Sequence, residues 1–254
     1  MHFDVAAEAY DAFMGRYSVL LSPQLADFAG VRPGQRALDV GCGPGALTAE
    51  LVRRLGGGSV AAVDPSEPFV AAARARHPGV HVERATAESL PFPDGAFDAA
   101  LAQLVVHFMS NPVAGLSEMA RVCRPGGVVA ACVWDHAGGR GPLSLFWDAS
   151  RKVDPGVKDE SALAGTREGQ LAELMQAAGL GDIEQSVLSA DLQHASFDEW
   201  WEPFTRAVGP AGAYVQGLDA ERRRALREAC RRLLPDGPFV LSANAWAARG
   251  IAVG

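Results

Sequence analysis

A chain of 254 residues, 48% hydrophobic and 21% charged, is long enough for one large core, or one core and a cap, and has ordinary globular composition. Its 23 basic against 30 acidic residues, a net charge of −7, argue against a nucleic-acid or anionic-membrane partner. Met1-His-Phe-Asp4 has neither the basic start nor the apolar run of a signal peptide, no stretch is apolar enough to span a membrane, and Cys42, Cys123, Cys132 and Cys230 lie far apart, so the chain reads as a cytoplasmic protein with reduced thiols.

Residues 1–30 read as an amphipathic helical lead-in, with Tyr10, Phe13, Tyr17, Leu20, Leu21, Leu25 and Phe28 spaced mostly by three or four. Val31-Arg-Pro-Gly34 is turn chemistry. From there short apolar runs alternate with helical patterns. Strands are expected at 36–41, 59–64, 80–84, 97–104 and 128–134, and helices at about 45–55, 66–76 and 112–123. Strands that are apolar throughout are expected where both faces are covered, which makes residues 31–135 an open, parallel, Rossmann-like sheet with helices on both faces.

The second half has a different texture. Asp135–Gly165 is rich in glycine, proline and charge, with an apolar knot at 143–147. Helices are expected at 166–178 (capped by Thr166), 196–208 and 219–234, the latter two capped by Ser196 and Asp219. Strands are expected at 183–188 and 239–253. On this reading 136–254 supplies cap insertions (136–165 and 189–238) and the last strands of the same sheet, with the cap over its carboxyl edge, where ligands of such sheets bind.

The stretch Arg36–Glu50 (RALDVGCGPGALTAE) is the chemical centre of the sequence. A buried strand runs into Gly41, Gly43 and Gly45, which permit positive φ and close approach of a ligand, and the turn opens a helix whose free N–H groups face that ligand. Gly41-Cys-Gly-Pro-Gly-Ala46 satisfies G-x-G-x-x-[GA]. Asp64, ending the next strand about 20 residues on, is placed to bond ribose hydroxyls. Those features suit a nicotinamide or another adenosine cofactor equally.

Four blocks separate the alternatives. LDVGCGPG at 38–45, VDPSEPFV at 63–70, ATAESLPFPDGAFD at 85–98 and LSEMARVCRPGGVV at 116–129 resemble class I S-adenosylmethionine-dependent methyltransferases, especially the small-molecule branch containing ubiquinone and menaquinone C-methyltransferases. AYDAFMGRYS at 9–18 is similar to that branch too, and the resemblance covers roughly residues 5–135. It implies a seven-stranded, mostly parallel sheet with an antiparallel last strand and a helical cap, S-adenosyl-L-methionine as cofactor, and a small-molecule methyl acceptor.

By that resemblance Gly41, Gly43 and Gly45 pass beneath the methionine part of the cofactor, and Asp39 orients its amino group. Asp64 holds the ribose hydroxyls, with Pro65 and Ser66 beside the adenine. Ala87 and Glu88 read the adenine edge, although Thr86 stands where many relatives have an acid. Gln103 lines the methionine end, and Tyr10 and Arg16 close over it. His107, just past the fourth strand, is the candidate general base. The acceptor atom and the oligomeric state are not assigned by any pattern in the chain.

Other features have two readings. The arginines of 221–232 are a basic face for an anionic ligand or the solvated side of a helix. Trp147, Trp200, Trp201, Phe146 and Phe204 are an aromatic acceptor pocket or the core of the cap. No metal site is expected: His77 and His81 are separated by Pro78-Gly79, which breaks the helix that would align them. Two other functions compete with methyl transfer: a non-catalytic S-adenosylmethionine-binding module, and a nicotinamide-dependent oxidoreductase, for which a downstream Tyr-x-x-x-Lys pair is missing.

Overall fold

The computed structural model describes residues 7–253; the Met1–Asp4 reading and the start of the lead-in lie outside the described residues. The lead-in is helical. It forms α1 (Ala7–Tyr10), a π-helical turn at Asp11–Gly15, and α2 (Arg16–Phe28), which buries Tyr17, Leu21 and Leu25 against the sheet. Then follow β1 (Ala37–Val40), α3 (Ala46–Leu55), β2 (Val60–Asp64), α4 (Glu67–Arg76), β3 (His81–Arg84), β4 (Phe97–Gln103), α5 (Pro112–Val122) and β5 (Cys123–Trp134). The second half continues with α6 (Ser144–Val153), α7 (Gln170–Ala177), β6 (Gly181–His194), α8 (Phe197–Trp201), α9 (Gly209–Gly217), α10 (Ala220–Arg231) and β7 (Phe239–Ile251).

The seven strands form a single sheet in the order β3-β2-β1-β4-β5-β7-β6. Pairings among β1 to β5 are parallel, and β7 runs antiparallel to both neighbours. The chain winds outward from β1 to β3, then returns to the other side of β1 with β4. That reversal opens a crevice at the carboxyl ends of β1 and β4, the place where open sheets of this type take ligands.

Alternate strand residues feed two cores. Ala37, Ala62, Leu101 and Ala130 face α2, α3 and α4, while Leu38, Val63, Ala100 and Val129 face α5 and α7. Helices therefore cover both faces, which is why the strands lack an apolar–polar alternation.

A third core belongs to the second half. Phe146 and Phe204 stack at 4.5 Å with ring planes 6° apart, and Trp147, Trp200, Trp201, Phe197 and Leu226 close around them. All are buried, so the aromatic cluster is the interior of the helical layer and not an open pocket. On α10, Leu226, Ala229 and Cys230 face inward. Arg227 pairs with Asp198 at 2.5 Å, Arg231 with Asp236 at 2.7 Å, and both cations lie over the Phe197 ring. The arginines thus form a partly compensated outer face that also covers an aromatic ring.

Several boundaries in the second half differ from expectation. The apolar knot at 143–147 is the start of α6, whose buried stripe is Phe146, Trp147, Ala149 and Ser150. Thr166 does not cap a helix: its hydroxyl donates to the Ser161 and Leu163 carbonyls, and α7 starts after Gly169, which is left-handed. The expected helix 196–208 stops at Trp201, tightens into a 3-10 turn at Glu202–Arg206, and breaks at Ala207 and Gly209, both at positive φ, before α9. β6 runs on to His194, so residues 189–194 belong to the sheet; they hydrogen-bond to β7, a long-range pairing invisible to a local pattern. The caps at Ser196 and Asp219 are present, accepting from the Glu199 and Arg222 N–H groups.

Candidate functional site

The crevice holds a cavity of about 500 Å³. Its floor is the glycine turn after β1. The Gly41 and Cys42 N–H groups both donate to the Val63 carbonyl, at 2.8 and 2.9 Å, which fastens the turn to the end of β2. Gly41 and Gly43 have φ of 73° and 53°, conformations that L side chains rarely adopt. Both line the cavity, and a Cβ on Gly43 would meet no atom within 4 Å.

Gly45 does not line the cavity. It sits at φ 105° as the left-handed N-cap of α3, and a Cβ there would fall 2.8 Å from His77 Nε2. The need for glycine at position 45 comes from this packing and from the cap. His77 in turn lies 3.2 Å from the Gly45 carbonyl.

Asp64 ends β2 and is 6% exposed, at the cavity wall. Its Oδ2 accepts from Gly43 N–H and its Oδ1 from Ser66 N–H, both at 2.8 Å. Burial raises its pKa, and those two N–H groups oppose the rise. Each oxygen keeps a lone pair for a further donor, the geometry a vicinal diol requires. Pro65, Ser66 and Ala87 lie along the same wall.

Glu88 also lines the cavity, but its Oε1 already accepts from the Ser110 and Asn111 N–H groups, at 2.8 and 3.1 Å. One carboxylate oxygen of Glu88 thus holds the turn before α5, and the other remains toward the cavity that it lines. Gln103, 8% exposed, donates from Nε2 to the Ser18 carbonyl at 3.0 Å, and its buried Oε1 has no partner.

Asp39 lies behind the turn and outside the cavity lining, 1% exposed. Its Oδ2 accepts from Thr48 Oγ1 at 2.6 Å and its Oδ1 has no partner. Burial pushes its pKa up to about 7, the Thr48 hydrogen bond opposes this, and nearby Asp64 adds to it.

Tyr10 forms part of the rim, with its ring 5.3 Å from that of Phe69. Arg16 does not. Its guanidinium donates to the Gln193 carbonyl at 2.8 Å and pairs with Glu199 at 2.8 Å, tying α2 to β6 and α8. A π-helical turn lies between the two residues, Tyr10 lining the cavity and Arg16 held against β6 and α8.

His107 is also displaced from the expected position. It is carried by a 3-10 turn at Val106–Phe108, is 6% exposed, and lies outside the main cavity lining. It borders a second, smaller cavity of about 40 Å³, whose walls include Phe13, Leu143, Trp134 and Pro210. Tyr10, Leu104 and Phe108 line both cavities and so form the partition between them. The His107 Nδ1 is buried without a partner, and its ring centroid is 3.9 Å from that of Phe108. Burial, with His136 nearby, pushes its pKa well below that of ordinary histidine, which keeps the ring neutral.

Sequence reasoning missed Phe69, Val105 and Leu104. Val105 packs against the bare Cα of Gly41, and Leu104 adopts φ 62° at the exit of β4. A non-glycine residue held left-handed beside a cavity is a common mark of a functional turn, but only coordinates show it.

Residues 38–131 match the family model described as a methyltransferase domain. A demethylmenaquinone methyltransferase from Beutenbergia cavernae is 43% identical over 101 residues, 40% of this chain and 41% of that protein. An uncharacterised Mycobacterium bovis protein is 30% identical over 232 residues, covering 85% of this chain and 82% of that one. Among solved structures, a SAM-dependent methyltransferase from Thermotoga maritima superposes with a TM-score of 0.56 at 20% identity, covering 96% of this chain and 93% of that chain. The chain spans less than half the length of several curated relatives that it matches. The chain belongs to the class I S-adenosylmethionine-dependent methyltransferases.

The residues present suit that family's cofactor. Gln103 Oε1, a buried acceptor without a partner, stands at the β4 end of the cavity, where a cationic amino acid head would be received, and Asp39 Oδ1, also without a partner, lies behind the glycine turn. The paired oxygens of Asp64 suit a ribose. Among the described residues no cluster of three or more metal-ligating side chains exists, and no helix is long and apolar enough to cross a membrane.

Proposed function

We propose that the protein transfers the methyl group of S-adenosylmethionine to a small-molecule acceptor held beside the β4 exit, under the helical layer. The observation that carries this reading is the pairing of the two cavities. One is large and bordered by Asp64, Gly41 and Gly43, and the other is small, apolar and bordered by a buried histidine; they share the partition Tyr10, Leu104 and Phe108. When bound, the cofactor supplies a methyl group already activated on a sulfonium. The protein's work is then alignment, worth up to roughly 7–11 kcal/mol in favourable cases, against about 3–5 kcal/mol for a positioned base.

In this reading Asp64 holds the ribose diol, Pro65 and Ser66 flank the adenine, and the adenine edge meets Ala87. Gln103 presents an acceptor to the methionine ammonium, Asp39 acts on it from behind the glycine turn through the loop or a water, and Tyr10 covers that end. His107, kept neutral by burial, takes the proton that the acceptor loses. Calorimetric titration tests the cofactor assignment directly: S-adenosylmethionine is expected to bind and NAD not to bind, and the reverse preference overturns it.

Two further outcomes are expected. Replacing His107 with alanine lowers turnover about 10²-fold or more while cofactor affinity stays unchanged; unaltered turnover excludes His107 as the base. Asp39 predicts a proton linkage. Its pKa near 7 falls when a cation pairs with it, so binding releases a proton at pH 6, and affinity rises with pH until about 7 and then levels. Titrations at pH 6 in two buffers of different ionisation enthalpy measure that proton. Asp39→Asn is expected to abolish its release, and proton uptake by the unsubstituted protein contradicts the assignment.

A further inference from the structure

The small cavity contains more chemistry than His107. Glu160 stands on a 3-10 turn at Glu160–Ala162 and is only 4% exposed, yet it borders this cavity together with His107 and His136. Trp147 Nε1 donates to its Oε2 at 3.0 Å. Among the described residues its Oε1 takes no hydrogen bond. The His136 ring lies 6.1 Å from that of His107. The remaining walls are apolar: Phe13, Leu143, Val208, Pro210 and Ala211. A carboxyl group in such surroundings costs stability, and the Trp147 hydrogen bond compensates only one of its two oxygens.

We propose that Glu160, with His107 and His136, forms a polar recognition site for the methyl acceptor, and that it selects a neutral hydroxyl compound with an apolar body. This rests on the methyl-transfer reading above. The charge state of the three groups favours a neutral partner. Burial lowers His107 and brings His136 down to about 4, a fall that Asp159 and Asp135 partly oppose; burial, with Asp159, brings Glu160 up to about 7 against the Trp147 hydrogen bond. A carboxylate ligand would find no cation here, and an ammonium would find a carboxyl only partly ionised. A hydroxyl can donate to Glu160 Oε1 and present its oxygen toward the partition.

In the transfer the hydroxyl oxygen forms the new O–CH3 bond as the C–S bond breaks, with its electron pair remaining on sulfur. For this the hydroxyl hydrogen turns from Glu160 Oε1 to the unpartnered Nδ1 of His107, which takes it as a proton. At about 40 Å³ the cavity accommodates the hydroxyl and the carbon bearing it. Val208, Gly209, Pro210 and Ala211, which follow left-handed Ala207, line this cavity and would have to move to admit the rest of a larger acceptor.

The test uses the whole chain with four probes: phenol, anisole, benzoate and benzylammonium. Calorimetric binding is measured with and without saturating S-adenosylhomocysteine. Phenol is expected to bind at least 10-fold tighter than the other three. Glu160→Gln, which keeps a carbonyl for Trp147 and turns the Oε1 position into a donor, is expected to lose that preference with S-adenosylhomocysteine affinity unchanged. Equal binding of phenol and anisole, tighter binding of benzoate or benzylammonium, or no binding of any probe overturns the proposal in the unsubstituted protein, whatever the variant does. A phenol preference that survives Glu160→Gln removes Glu160 from the site. Failure of S-adenosylhomocysteine itself to bind overturns the methyl-transfer reading separately, because the phenol comparison is also run without it.

Discussion

Replacing Asp64 with asparagine is expected to weaken S-adenosylmethionine binding by about 100-fold or more. The carboxylate accepts two backbone N–H bonds at 2.8 Å, from the glycine turn and from the start of α4, and so joins the two segments that border the cavity. Hydrogen bonds to a charged group contribute about 1.5–3 kcal/mol each. Asparagine keeps one acceptor and directs its amide donor at one of those N–H groups, so one bond becomes a donor–donor contact. The ribose loses a charged acceptor at the same time. A loss of about 3 kcal/mol corresponds to roughly 100-fold in affinity. Calorimetry measures it, with a denaturant melt to show that the fold persists; affinity within threefold of the unsubstituted protein would remove Asp64 from the ribose role.

The second large effect separates two glycines in one turn. A Cβ on Gly41 would lie 2.5 Å from Val105 Cγ2 and 2.6 Å from Cγ1, at φ 73°. Val105 is branched at Cβ and cannot swing clear cheaply. Gly41→Ala therefore combines left-handed strain of about 1–2 kcal/mol with overpacking of about 1–3 kcal/mol, and moves a residue of the cavity wall. We expect a loss of stability of about 2–5 kcal/mol and loss of cofactor binding. Gly43→Ala has the same kind of φ but no atom within 4 Å of the new methyl. It is expected to cost only the strain of about 1–2 kcal/mol, while the methyl projects where the ligand passes and weakens binding. Urea melts of both variants, and of Gly41→Ala combined with Val105→Ala, check this. Equal destabilisation by the two single substitutions, or no recovery in the double variant, would contradict the steric account.

The first half was legible because its signals are local. Apolar runs, glycine and proline punctuation, and the acid at the end of β2 all act within one element, so β1 to β4 and the helices around them could be placed from sequence to within a residue or two, whereas β5 starts at Cys123 and takes in the Arg124–Gly127 stretch that reads as a turn. The Asp64 position follows from that placement, because the end of β2 must lie beside the turn after β1 in a parallel pair.

The second half was less legible because its elements are defined by partners far away in the chain. β6 is half exposed, and its length is set by pairing with β7. α6 has a strong inward stripe but follows a run of glycines and charges that reads as loop. That Arg16 and His107 lie away from the main cavity has the same origin. Arg16 was read from a similar lead-in, but the Gln193 carbonyl and the Glu199 carboxylate decide where it points. His107 was read from its position after β4; the 3-10 turn and the aromatic partition set it behind the cavity wall.

By itself, then, the sequence determined the parallel part of the sheet and the glycine turn, since each depends on backbone conformation and spacing within one strand–turn–helix unit, while the class of cofactor came from the four-block resemblance. Only the tertiary structure decided which of the three glycines line the cavity and which packs against His77, which oxygens of Glu88 and Asp64 are already bonded, and that Glu160, more than 50 residues beyond His107, shares its cavity. The physical reason is that a side chain's free valence is whatever its neighbours leave, and those neighbours come from every part of the chain.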